Sequence, residues 1–118
     1  MRQTKSYTLR CAQTPTIVGL DWDDADDPDG NVQHIAKHGV TTLEVRQVLQ
    51  GAPVFREEDR YGPNPVYLAV GPTASGQLLE VHGIFFRNPP KQGYWHTITA
   101  LPARPTHRRL YNEAREGS

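Results

Sequence analysis

The sequence predicts an α+β domain: an antiparallel sheet meander with two short helices before it and one helix after it. Three observations carry this. Apolar residues recur at helical spacing across residues 30–50. From residue 54 the pattern changes to β-rich runs separated by short turn-forming stretches. Beyond residue 104 a strongly basic segment returns to a helical pattern. Successive strands joined by short turns favour antiparallel neighbours, with the helices packed on one face.

Taken in order, residues 1–15 are polar and aperiodic and read as a loose arm, with a short strand at "SYTLRC". A single domain is expected over 16–117. Residues 16–22, "TIVGLDW", read as its first strand, and an aspartate-rich loop follows. "DGNVQHIAKHG" reads as a short helix, with Asp29 to cap its start and Gly39 to take the left-handed conformation at its end. Val32, Ile35 and Ala36 fall on one stripe; His34, Lys37 and His38 fall on the other side. Thr41 and Glu44 have the spacing of a capping box for a second helix, whose apolar face is Val45, Val48 and Leu49. Gly51 and Pro53 end it. "VFREEDRY" is a polar edge strand, "PVYLAVG" a short strand, "PTASG" a turn and "QLLEVHGIFF" the longest strand. The prolines of "RNPPKQG" break pairing before the last strand, "YWHTITAL". A helix is expected from Pro105, with Gly117 beyond its end.

The chain has 118 residues, which suits one domain with a modest core. Only 36% of it is apolar and the mean hydropathy is −0.64, so a soluble protein is expected. No apolar run approaches the roughly 20 residues of a membrane span. The N-terminus has no apolar signal-peptide core, which makes a cytoplasmic protein the simplest reading. Cys11 is the one cysteine, excluding an internal disulfide and a cysteine-based zinc site. The 13 basic and 13 acidic residues cancel but are not evenly spread. Residues 21–29 hold six aspartates and no basic residue, while 104–115 hold four arginines and a histidine against one glutamate. The basic tail suits phosphates; the acidic loop repels them or attracts a basic partner.

The aspartate loop is not an EF-hand. With Gly30 as the sixth position, the first and twelfth ligand positions fall on Ala25 and Ala36. His34 and His38 have the spacing of a helical metal pair, but Ile35 stands where a zincin has its glutamate, and no third ligand is near in sequence. His82 and His96 converge on them only if folding brings them there. No metal and no cofactor is therefore expected. Cleaving RNA without a metal needs a base for the 2′-OH, an acid for the leaving oxygen, and cations for the developing charge. Histidine suits the first two tasks and lysine or arginine the third, and the chain holds five histidines and a basic C-terminal segment. No Gly-rich phosphate loop and no serine or cysteine nucleophile pattern is present.

"LDWDD…GNVQHIAKHGVTTLEVRQVL", "VYLAVGPTASGQLLEV" and "ITALPARPTHRRLY" together resemble the BrnT-type toxins and their relatives, over roughly residues 18–112. The resemblance implies a fold similar to the RelE and ParE toxins. It implies a metal-independent endoribonuclease of a type II toxin–antitoxin pair. The implied partners are RNA and a small cognate antitoxin with a ribbon-helix-helix DNA-binding domain, so that DNA is met only through the antitoxin. Lys37 and His38 fall on the family's K-H-G segment, and Arg60 lies just before a strand where relatives often carry a basic residue. His96, Arg104, Arg108 and Arg109 fall on the last strand and C-terminal helix, which in this fold class border the RNA-facing surface. His96, His38, Arg60 and Lys37 are accordingly the expected catalytic group; His34, Arg104, Arg108 and Arg109 are the expected RNA contacts. The chain departs from the family at Leu101, where an arginine is usual after I-[ST]-A, in the added acidic "ADDPD", and in its neutral net charge. The alternative on the same fold is a catalytically silent protein-binding module.

Overall fold

A computed structural model describes residues 14–116. In chain order they form β1 (Gly19–Asp21), α1 (Asn31–Ala36), α2 (Thr42–Gln50), β2 (Val54–Tyr61), β3 (Asn64–Pro72), β4 (Leu78–Phe85), β5 (Tyr94–Pro102) and α3 (Pro105–Glu116). The expected arm at 1–15 and Gly117 lie outside the described residues, except for Thr14 and Pro15, which have no regular structure.

The local signals at the two short helices act through identifiable hydrogen bonds. Gly39 follows α1 at a φ of 77°, a conformation that costs a side-chain-bearing residue more. This lets the Val40 N–H reach back to the Ile35 carbonyl at 3.1 Å and close the helix end. Thr41 and Glu44 form the reciprocal capping box of α2: Glu44 N–H donates to Thr41 Oγ1, and Thr41 N–H donates to Glu44 Oε1. The start of α1 differs from expectation. Asp29 does not cap it; its own N–H is turned back to Asp27 Oδ1. Asp23 instead reaches across the loop, and its Oδ2 accepts the Asn31 N–H at 2.9 Å.

The five strands form one sheet in the order β1-β5-β4-β3-β2. β2 to β5 are the expected antiparallel meander. The sheet as a whole is mixed, because β1 joins its edge parallel to β5, Gly19 to Asp21 beside Tyr94 to His96. A purely antiparallel sheet is thus corrected, and the strand expected at 16–22 is shortened to three residues. Only a brief parallel match is possible here, because the chain turns away into the aspartate loop.

The helices do not share one face. Ile35 of α1 and Val45 and Val48 of α2 pack with Tyr67, Ala69, Leu79, Val81, Trp95 and Ala100. Leu68 and Val70 pack with Ala103 and Tyr111 of the α3 region, with Leu78 and Leu110 against them. These two sets alternate along β3 and β4, so they lie on opposite faces of the sheet. Burial on both faces is why Tyr67 to Val70 can be an unbroken apolar run. No helix among the described residues is long and apolar enough to cross a membrane.

Trp95 is the largest fully buried side chain. It stacks on Tyr67 with ring centroids 6.4 Å apart, and its indole N–H donates to Thr97 Oγ1. The indole lies over Gly83, where a Cβ would come within 2.3 Å of its ring. Buried backbone and ring leave no direction of retreat. Gly83→Ala is therefore expected to destabilise the fold by about 1–3 kcal/mol, the usual cost of overpacking. Urea unfolding followed by tryptophan fluorescence measures it; an unchanged midpoint would show that the ring moves freely.

Candidate functional site

Two clusters of ionisable side chains lie on the sheet face that α3 partly covers. The first is made by the parallel pairing. Asp21 and His96 are register partners on β1 and β5, so their side chains stand side by side. His96 Nδ1 lies 3.0 Å from Asp21 Oδ2, and Lys91 Nζ lies 3.2 Å from both carboxylate oxygens. Burial pushes the Asp21 carboxyl up, but the bonds from His96 and Lys91 outweigh it and hold it below its ordinary value. The other ring nitrogen of His96, Nε2, has no protein partner among the described residues.

That ring lines an open groove of about 320 Å³, together with His34, Tyr61, Ile84, Ile98, Asp23 and Asp29. Each wall has a local cause. A register shift between β4 and β5 pairs Gly83 with Thr97 and His82 with Thr99, so Ile98 is the extra residue and is pushed out, 43% exposed. The aspartate loop is held against the sheet by Asn31, which is 5% exposed. Its Oδ1 accepts the Asp23 N–H at 2.9 Å, and its Nδ2 donates to the Thr97 carbonyl at 3.0 Å. Another cleft, about 570 Å³ between residues 14–22 and the end of α2, has Arg46 as its one charged lining residue among the described residues and no acid–base pair.

The second cluster surrounds Glu80, a carboxylate with 0% exposure. Oε1 accepts the Arg104 backbone N–H at 2.9 Å and Arg104 Nε at 3.1 Å, and lies 2.8 Å from His107 Nδ1. Oε2 accepts from the Arg104 guanidinium and lies 2.8 Å from His82 Nε2. His82 Nδ1 is in turn 3.0 Å from Glu58 Oε1. Both His82 contacts are hydrogen bonds at once only when the ring carries both protons. Glu58 reaches it because a register shift between Glu57 and Asp59 leaves Glu58 without a partner on β3. Burial alone would raise the Glu80 carboxyl; Arg104, His82 and His107 outweigh it and hold it well below the usual carboxylate range.

The expected site residues therefore separate. His96 and His34 meet at the groove, where His34 Nε2 lies 3.1 Å from Thr99 Oγ1. His38 packs edge-on against His34, ring centroids 5.5 Å apart, and Lys37 beside it is exposed; neither lines the groove. Arg60 pairs with Glu57 at 3.3 Å, and Glu57 stands opposite Tyr67, whose ring belongs to the α1–α2 core. Alternation puts that pair on the face away from His96. Arg104 is engaged at Glu80, and Arg108 and Arg109 are exposed on α3. Leu101 pairs directly with Glu80 across β5 and β4. An arginine at 101 would thus stand beside the carboxylate that Arg104 now neutralises.

Asp21, Glu80 and His107 are the functional candidates that sequence reasoning missed. Glu80 did leave a signal: a lone carboxylate between Leu79 and Val81, in a strand apolar on both sides, must find a cation. Asp21 left none, because its pairing with His96 spans 75 residues. No model of a known protein family matches the chain, and no curated protein matches it.

Glu80 has a measurable consequence. Its folded-state value is depressed, so its contribution is present above the ordinary glutamate value of 4.5 and is lost as pH falls below it. Arg104 is more than half exposed and regains water if released. Glu80→Gln is therefore expected to cost about 1.5–3 kcal/mol at pH 7, the range for charge-assisted hydrogen bonds, and progressively less below pH 4.5. Unfolding midpoints of both proteins across pH 3–7 test this; a gap that does not narrow in acid would contradict it.

Proposed function

We propose that the chain is a BrnT-like toxin with a RelE/ParE-like fold, a metal-independent endoribonuclease whose acid–base centre is the Asp21–His96 pair. The observation that supports it is the placement of that pair, with His96 Nε2 unpartnered among the described residues and His96 lining a groove that His34 also lines. In this reading His96 Nε2 takes the proton from a ribose 2′-OH, which attacks the adjacent phosphorus. Asp21 fixes the ring with Nδ1–H toward itself and stabilises the imidazolium that forms. His34 protonates the departing 5′-oxygen. Tyr61 and Ile98, both exposed at the rim, are surfaces on which a base can stack. Arg108 and Arg109 on α3, with Lys37, hold flanking phosphates or, in the resting complex, the antitoxin.

A second reading has its own support. Arg104 and Arg60 are already in ion pairs, and Asp23 and Asp29 give the groove acidic walls. These features favour a silent relative whose groove docks a basic protein segment. RNA cleavage separates the two. Purified wild-type protein is expected to cut a labelled single-stranded RNA in the presence of chelator. His96→Ala is expected to lower the rate by about 10²–10⁴-fold, the usual contribution of a positioned acid or base, and Asp21→Asn to lower it with unchanged RNA affinity. Absence of cleavage by wild type, together with no growth arrest on induced expression, would sink the ribonuclease and leave the binding module.

A further inference from the structure

We propose that Glu80, His82 and His107 form a transition-metal site of the zinc type, bridging β4 and α3 and separate from the His96 groove. One nitrogen from each histidine and one Glu80 oxygen all lie within 4.8 Å of one another. Zinc bonds of about 2.0–2.1 Å at tetrahedral angles bring donors to about 3.3 Å apart, so side-chain movement of about 1.5 Å closes the set. Two imidazoles and one carboxylate select zinc, cobalt or nickel over magnesium or calcium, which prefer oxygen alone.

The surroundings fit the demands of such a site. His82 presents Nε2 to the centre while Nδ1 faces Glu58 at 3.0 Å. A carboxylate on the second nitrogen is the outer partner that orients a metal-bound histidine and fixes its tautomer. The two histidine side chains are 16% and 13% exposed, close enough to solvent for an ion to enter. Arg104 is the cation that now neutralises Glu80, and at 58% exposure its side chain can swing outward. On binding, His82 Nε2 and His107 Nδ1 present their lone pairs to the ion while each ring keeps a proton on its other nitrogen, and the ion takes over from the guanidinium the neutralisation of Glu80. His82 keeps its Nδ1–H toward Glu58. Water fills the remaining coordination position.

The test is titration of the purified chain with zinc chloride against a chromophoric chelator, repeated with cobalt for its visible spectrum. One zinc per chain and a tetrahedral cobalt spectrum are expected. His82→Ala and His107→Ala are each expected to weaken binding more than Glu58→Gln, for which loss of the outer partner costs about 10–100-fold. Arg104→Ala is expected to tighten it by removing the competing cation. Ring-¹⁵N spectra of the wild type keep the proposal falsifiable if a variant does not fold. Zinc must shift His82 and His107 and leave His34 and His38 unmoved. Shifts confined to His34 and His38, or no binding at micromolar zinc, would overturn it.

Discussion

A carboxylate sealed from water inside the sheet is the constraint on which much of this structure turns. An ion left unpaired in such a place costs several kcal/mol. Glu80 is therefore stable there only if the chain delivers partners to both oxygens, and they come from two elements, with a third reached through His82. Arg104 and His107 lie at the start of α3, His82 lies two residues along β4, and His82 carries the network on to Glu58 of β2. The Arg104 N–H that bonds Glu80 belongs to the residue whose carbonyl opens α3, so the carboxylate also sits at the positive end of the helix. One buried charge thereby sets where the C-terminal helix begins and which face of the sheet it covers. Leu110 and Tyr111 then complete the packing that the charge has positioned.

The groove depends on a second, smaller constraint. β1 is only three residues long, and three parallel pairings would hold it weakly without side-chain support. Asp21 supplies that support through His96 and Lys91, and Val18 adds a backbone bond to the Gly93 carbonyl. Asn31 then ties the end of the loop to Thr97 on the same strand. The contacts that steady the edge strand are thus the contacts that orient His96. The aspartates of the loop are used in the same local way: Asp24 and Asp27 each accept the N–H two residues on, and Asp23 caps α1. Three of the six aspartates at 21–29 thus serve the fold of the loop itself.

The two histidine–carboxylate clusters differ in a way that matters for chemistry. Around Glu80 every nitrogen facing the carboxylate is engaged, and the arginine adds a full positive charge. Around Asp21 one nitrogen of His96 is engaged and the other has no protein partner among the described residues. A saturated network resists proton transfer, because any proton that moves leaves a buried charge uncompensated. The half-saturated pair pays no such penalty, since solvent or a ligand completes it. In the proposed reading, this asymmetry is why acid–base work falls to His96 and a structural or metal-binding role to His82 and His107.

Much of the local architecture was legible in the residues. The capping box of Thr41 and Glu44, the left-handed Gly39, the edge strand 54–61 and the turns between later strands each follow from chemistry within a few positions of the chain. Periodicity likewise separated the helical stretch from the sheet. Tertiary structure decided three things. It placed β1 parallel beside β5, since that match joins residues 75 apart and has no local signal. It sent α3 to the opposite face from α1 and α2, although the unbroken run Tyr67–Val70 already hinted at burial from both sides. And it sorted the titratable side chains: Lys37, Arg60 and Arg104 share a charge sign and little else, because strand parity and a single buried carboxylate send them to different places. A sequence states which groups can ionise. Which of them meet depends on face, register and burial, and those exist only once the sheet has closed.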